Sequence, residues 1–111
     1  MRTYQHKGLA AGRWKTLSFM EQMANIGSEV ERALNWQVKN NPAYCQKAVD
    51  RALELVDLSL EAAATFPRRK ELARLRETIV DYFLDQNLFR SSPELWRSYF
   101  LHFNYAARRN H

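Results

Sequence analysis

Apolar residues recur along the chain at intervals of three and four, and the breaks between runs fall at residues that start or stop helices. Phe19, Met23, Ile26, Val30, Ala33 and Leu34 lie within about 60° of one direction at 100° per residue, which makes a single buried helix face. Ser18 followed by Glu21 is a capping-box pattern at the start of that helix, and Asn40 marks its stop. Asn41-Pro42 supplies a cap and a preset φ for a second helix reaching to about Thr65. Its inward face is Cys45, Ala48, Val49, Ala52, Val56, Leu60 and Ala63, widened by Tyr44, Leu55 and Leu58, an arc broad enough for two neighbours.

Pro67 interrupts the pattern and restarts it, because a first helical turn does not use the N–H that proline lacks. The third helix carries Leu72, Leu75, Ile79, Tyr82 and Phe83 and ends near Asp85-Gln86-Asn87. Ser92 as cap, Pro93 behind it and Glu94 in the first turn open a fourth, which presents Trp96, Tyr99, Phe100, Phe103 and Ala107. Short connections favour antiparallel neighbours, so the pattern predicts an all-α, up-down-up-down antiparallel four-helix bundle over residues 16–111, preceded by a short basic N-terminal tail over residues 1–15.

Composition narrows this further. Three glycines and three prolines in 111 residues are too few for the turns of a β-sandwich. Cys45 is the sole cysteine, so the chain builds neither an internal disulfide nor a cysteine-based zinc site, and a reducing, cytoplasmic setting fits. No apolar run approaches the ~18 residues of a membrane span, and residues 1–15 have no signal-peptide core, so no membrane partner is expected.

The net charge of +5 is unevenly placed. Residues 1–15 hold four cations and no acid, residues 66–111 hold nine cations against five acids, and the stretch between is acidic. In the up-down order, Arg13 and Lys15 of the tail, the Arg68-Arg69-Lys70 run, and Arg108-Arg109 with His111 share one end of the bundle. Two helix N-termini point the same way, which suits an anion such as a nucleic-acid backbone. The outer face of the fourth helix sets Arg97, Leu101, Tyr105 and Arg108 in a narrow arc, where Tyr105 is placed to stack on a base. The same arc, through Leu101, reads equally as an oligomer contact.

Other residues depart from their surroundings. Asp50, Glu54, Asp57 and Glu61 form one stripe on the second helix, read as a solvated outward face. Arg76 lies inside the apolar arc of the third helix, where a charge must snorkel, find a partner or face another subunit. Trp36 is about 110° from the core direction of its helix and is an interface candidate. Gly27 costs a helix interior about 1 kcal/mol relative to Ala, which points to a close approach of a neighbouring helix.

No glycine-rich phosphate loop, nucleophile elbow or histidine-rich metal spacing occurs, so no catalytic residue, metal or cofactor is assigned. Arg97 to His102 resembles the Arg-x4-His signature of HEPN-type helical ribonucleases, in which those two residues assist attack of a ribose 2′-hydroxyl. Residues five apart on a helix diverge by about 140°, so the pair converges only if a second subunit completes the site, and Ser98 stands where that motif has its polar residue.

The combination of length, four helices, basic balance and exposed interface candidates resembles, by architecture, the small four-helix-bundle group that includes 23S rRNA intervening-sequence proteins and the accessory proteins of diversity-generating retroelements. That resemblance implies ring-like homo-oligomers and, for an accessory protein, nucleic acid as partner. The reading is a non-enzymatic, self-associating bundle that binds nucleic acid, RNA favoured over DNA, through its basic end. A protein–protein adaptor and a HEPN-like ribonuclease are the alternatives.

Overall fold

The helix boundaries follow from side chains that satisfy otherwise orphaned backbone groups. A computed structural model describes residues 12–109, as a 3-10 turn over Arg13–Thr16 and four α-helices, with no strand among the described residues. The helices are α1 (Phe19–Val38), α2 (Pro42–Ala62), α3 (Phe66–Leu84) and α4 (Pro93–Arg109). Both halves of the Ser18–Glu21 capping box form, at 2.9 and 3.1 Å. Asn41 accepts from the Tyr44 N–H at 3.1 Å, and Ser92 from that of Leu95 at 3.2 Å.

The stops are equally local. Asn40 takes φ 55°, and the Asn41 N–H closes on the Trp36 carbonyl at 3.0 Å, ending α1 two residues before the stop read from sequence. Likewise α2 ends at Ala62 rather than near Thr65, because Ala63 is extended and the Thr65 hydroxyl is engaged as the cap of α3, accepting from the Arg68 N–H at 3.4 Å.

The core is built from the predicted faces, except that Tyr44, expected on the inward arc of α2, is 45% exposed. Met23, Ile26, Val30, Ala33 and Leu34 of α1 are buried with Ala48, Val49, Ala52, Leu55, Val56 and Leu58 of α2. Leu72, Leu75 and Ile79 of α3 and Trp96, Phe100 and Phe103 of α4 complete it. Polar contacts tie the helices in pairs: Arg51 to Glu29 between α1 and α2, Arg76 to Asp57 between α2 and α3, Tyr99 to Glu71 between α3 and α4, and Arg97 to Glu31 between α4 and α1. At Gly27 a Cβ would meet the Phe100 side chain at 2.7 Å, so α1 and α4 come together where the sequence leaves out a side chain.

Two sequence expectations need correction. Residues 1–15 were to form a tail, yet Arg13–Thr16 is part of the fold: Trp14 is 2% exposed and its indole N–H donates to Ser59 Oγ at 2.9 Å. The Gln22 amide closes the arrangement on the Trp14 carbonyl at 3.1 Å. Residues 1–11 of that expected tail lie outside the described residues. The acidic stripe of α2 is not wholly solvated either. Asp50 and Glu61 are exposed, but Glu54 is buried, and Asp57 accepts from Arg76 Nε at 2.9 Å. The cause is the crowding of α2, which carries α1 on one side, α3 on another and the Trp14 turn near its end, so almost every residue from Leu53 to Ser59 is covered.

Candidate nucleic-acid interface

Cap chemistry and aromatic packing position the basic clusters. The 3-10 turn displays Arg13 and Lys15 to solvent on either side of the buried Trp14, whose hydrogen bond to Ser59 fixes the turn beside the last part of α2. Thr65 starts α3 with Arg68, Arg69 and Lys70 all exposed in its first turns. The Arg68 guanidinium lies 5.1 Å from the Phe19 ring centre, and Phe19 meets Phe103 edge-on at 6.3 Å. Those two contacts bring together the start of α3, the start of α1 and the late part of α4.

At the end of α4, Arg108 and Arg109 are exposed, as is Tyr105 at 63%. The Arg109 guanidinium covers the Tyr105 ring at 5.7 Å. Arg108 also borders a shallow polar groove of about 360 Å³, shared with Asn25, Ser28 and Asn104 between α1 and α4. His111 lies outside the described residues.

Charge pairing separates these cations from four arginines, although the exposed Lys39, Lys47, Arg74 and Arg90 also form no ion pair among the described residues. Glu29 receives both Arg32 at 2.5 Å and Arg51 at 2.6 Å, Asp57 receives Arg76, and Glu31 receives Arg97. Arg13, Lys15, Arg68, Arg69, Lys70, Arg108 and Arg109 form no ion pair among the described residues. Of the two helices starting near them, α1 already has the Glu21 carboxylate at its N-terminus, whereas α3 has no acid in its first turn.

The three residues read from sequence as interface candidates fare differently. Leu101 is open, at 65% exposed. Trp36 is half-covered within the chain, with Tyr44 edge-on at 4.8 Å and the Lys39 ammonium 5.0 Å above its ring. The Arg76 charge is met by Asp57 of α2, so the chain itself supplies its partner. Sequence reasoning missed a different set. Phe66, Leu84, Leu88 and Phe89 are 75, 47, 70 and 60% exposed, and they follow α3 and the loop after it. A second face of α3 carried the missing signal, with the exposed Phe66 and Ala73 and the half-buried Val80 spaced seven apart.

The remaining chemistry is sparse. Arg97 is held by Glu31 through two nitrogens, both at 3.0 Å, while His102 is exposed with its ring against Phe103. Burial pushes the Cys45 thiol above its ordinary pKa, away from the thiolate that a nucleophile needs. Burial, and then the hydrogen bond to Glu71, raises the Tyr99 phenol well above its usual range. Among the described residues no three His, Cys, Asp or Glu side chains gather for a metal, and no helix is long and apolar enough to cross a membrane. Comparison with family models, with curated proteins and with solved structures finds no match.

Proposed function

We propose that this chain is an up-down-up-down antiparallel bundle that self-associates without catalysing a reaction, and that its basic end binds nucleic acid, with RNA favoured. The observation that carries the reading is the clustering of seven of the eleven exposed cations that have no acidic partner among the described residues, the other four, Lys39, Lys47, Arg74 and Arg90, standing apart from those clusters in the sequence. Ion pairing satisfies a guanidinium; leaving it open keeps it available for phosphate. The up-down order is supported by cross-helix contacts whose residue numbers rise on one helix as they fall on the next, such as Arg51–Glu29 with Tyr44–Trp36, and Arg97–Glu31 with Phe103–Phe19. In that order Arg13, Lys15, Arg68, Arg69, Lys70, Arg108 and Arg109 share an end, with Tyr105 beside them for stacking.

Fluorescence anisotropy with a short single-stranded RNA and the matching DNA tests the reading. If the five cations of α3 and α4 each neutralise a phosphate, log K falls against log salt with a slope of about −3.5. Replacing Arg68, Arg69, Lys70, Arg108 and Arg109 by Ala is expected to abolish binding at moderate salt. Binding that survives those replacements unchanged sinks the reading.

A further inference from the structure

Helix α3 is apolar on two sides. Leu72, Leu75 and Ile79 face the core, while Phe66, Ala73, Val80 and Leu84 lie within about 40° of one another on a second face at 100° per residue. Arg69, Lys70, Arg76 and Glu77 flank that second face within about 60°. Beyond α3 the same surface continues into Leu88 and Phe89, 70 and 60% exposed. They are held out by design of the backbone: the buried Asp81 carboxylate accepts the Leu88 N–H at 2.7 Å and the Phe89 N–H at 3.0 Å. Asn87 and Arg90 both take φ 55°, and the Asn87 side chain exchanges two hydrogen bonds with the Ser91 backbone. The ordering cost of this loop backbone is met in the free chain, which leaves two apolar side chains in solvent on a fixed backbone.

Leu88 and Phe89 form one wall of a hollow of about 530 Å³, whose other lining is Leu60, Ala73 and Val80 with the charged Arg76, Glu77, Asp81 and Asp85. A knob and a hollow side by side on one surface are what a two-fold interface requires, since each copy then fills the other. The charges choose the direction. The N-terminal half of the stripe bears Arg69 and Lys70, and the C-terminal half bears Glu77 and Asp85. Pairing α3 with a parallel copy sets like against like. An antiparallel pairing about the midpoint between Arg76 and Glu77 sets Glu77 beside the Arg76–Asp57 pair twice, Ala73 against Val80 twice and Arg69 near Asp85, and it brings Leu88 and Phe89, held at the level of Asp81, opposite Leu72 and Ala73. The four exposed apolar side chains alone offer on the order of 400 Å² per copy, about half of what each partner in a stable complex gives up, with the polar flanks to add to it.

We infer that a second copy of this chain covers α3, packed antiparallel about a two-fold axis, with Leu88 and Phe89 of each copy in the hollow of the other. The inference gives a surface to the self-association proposed above and rests on that part of the reading, not on nucleic-acid binding. Arg69 and Lys70 then serve the seam, and Arg13, Lys15, Arg68, Arg108 and Arg109 remain open for phosphate.

Light scattering of the full chain without nucleic acid, at micromolar concentration, tests it. The parent is expected at twice the chain mass. Leu88→Ser with Phe89→Ser, both exposed positions, is expected to raise the dissociation constant by about 30-fold or more at unchanged helical circular dichroism. Arg69→Glu with Lys70→Glu, and separately Glu77→Lys with Asp85→Lys, each give a monomer, and mixing the two charge-reversed chains restores the dimer mass. A monomeric parent overturns both the seam and self-association. A self-associating parent whose mass none of these substitutions changes overturns the seam and leaves self-association standing, and reversed chains that stay monomeric when mixed overturn the antiparallel pairing.

Discussion

Gly27 shows how one missing methyl sets a helix separation. Alanine is the better helix former by about 1 kcal/mol, yet its Cβ would stand 2.7 Å from the Phe100 ring and 3.0 Å from the Phe100 Cβ. The near atoms sit at the base of the Phe100 side chain, so α4 itself has to retreat. Overpacking of this kind costs about 1–3 kcal/mol, more than the propensity gain offsets at most values. Gly27→Ala is therefore expected to destabilise the fold by about 1 kcal/mol in urea unfolding. Phe100→Leu in the same chain should relieve part of that cost, and strict additivity of the two changes would show that the contact does not govern the spacing. Glu29 sits at the opposite extreme of residue chemistry: buried, and stabilised by two guanidinium groups rather than one.

Among the elements, α3 and the loop behind it are least explained by the core they serve. Asp81 is buried at the end of α3, yet it holds the loop rather than the bundle, through two charge-assisted hydrogen bonds to consecutive N–H groups. Removing the carboxylate in Asp81→Ala leaves both donors without their acceptor and is expected to cost about 2 kcal/mol. Amide hydrogen exchange at Leu88 and Phe89 should then quicken by roughly tenfold or more while exchange in α1 and α2 changes far less. Equal quickening along the whole chain would mean that Asp81 supports the bundle as a unit. The loop also explains why α3 stops where the sequence indicates: Asn87 in the left-handed region turns its N–H back to the Asp81 carbonyl at 3.0 Å.

At the scale of the molecule, Trp14 joins the N-terminal turn to the bundle by both area and polarity. Trp14 is 2% exposed, and the Ser59 hydroxyl, which accepts from the indole, donates a hydrogen bond to the Leu55 carbonyl at 2.8 Å. Trp14→Ala is expected to lower stability by about 3–5 kcal/mol, and Trp14→Phe, which keeps most of the area and loses the hydrogen bond, by about 1–2 kcal/mol. Urea unfolding distinguishes them. A negligible loss in Trp14→Ala would show that the turn rides on the bundle without completing its core.

The number of helices, their caps and their inward faces were legible in the sequence, because capping and the 3.6-residue period act over a few neighbouring residues. Ser18, Asn41 and Ser92 each accept the N–H their positions foretell, and Met23, Ile26, Val49, Val56, Leu72, Ile79, Phe100 and Phe103 are all buried. Of the site, the sequence indicated which cations are basic clusters and that Tyr105 and Leu101 face solvent, since a helix places alternate faces by arithmetic. Only the tertiary structure decided which charges were already paired and which apolar residues were left over. Arg76 meets Asp57, Glu54 is covered, Trp14 enters the core, and Phe66, Leu84, Leu88 and Phe89 remain outside. Burial and pairing depend on which neighbour lies across the gap, and that is a property of the packed chain, not of any stretch of it.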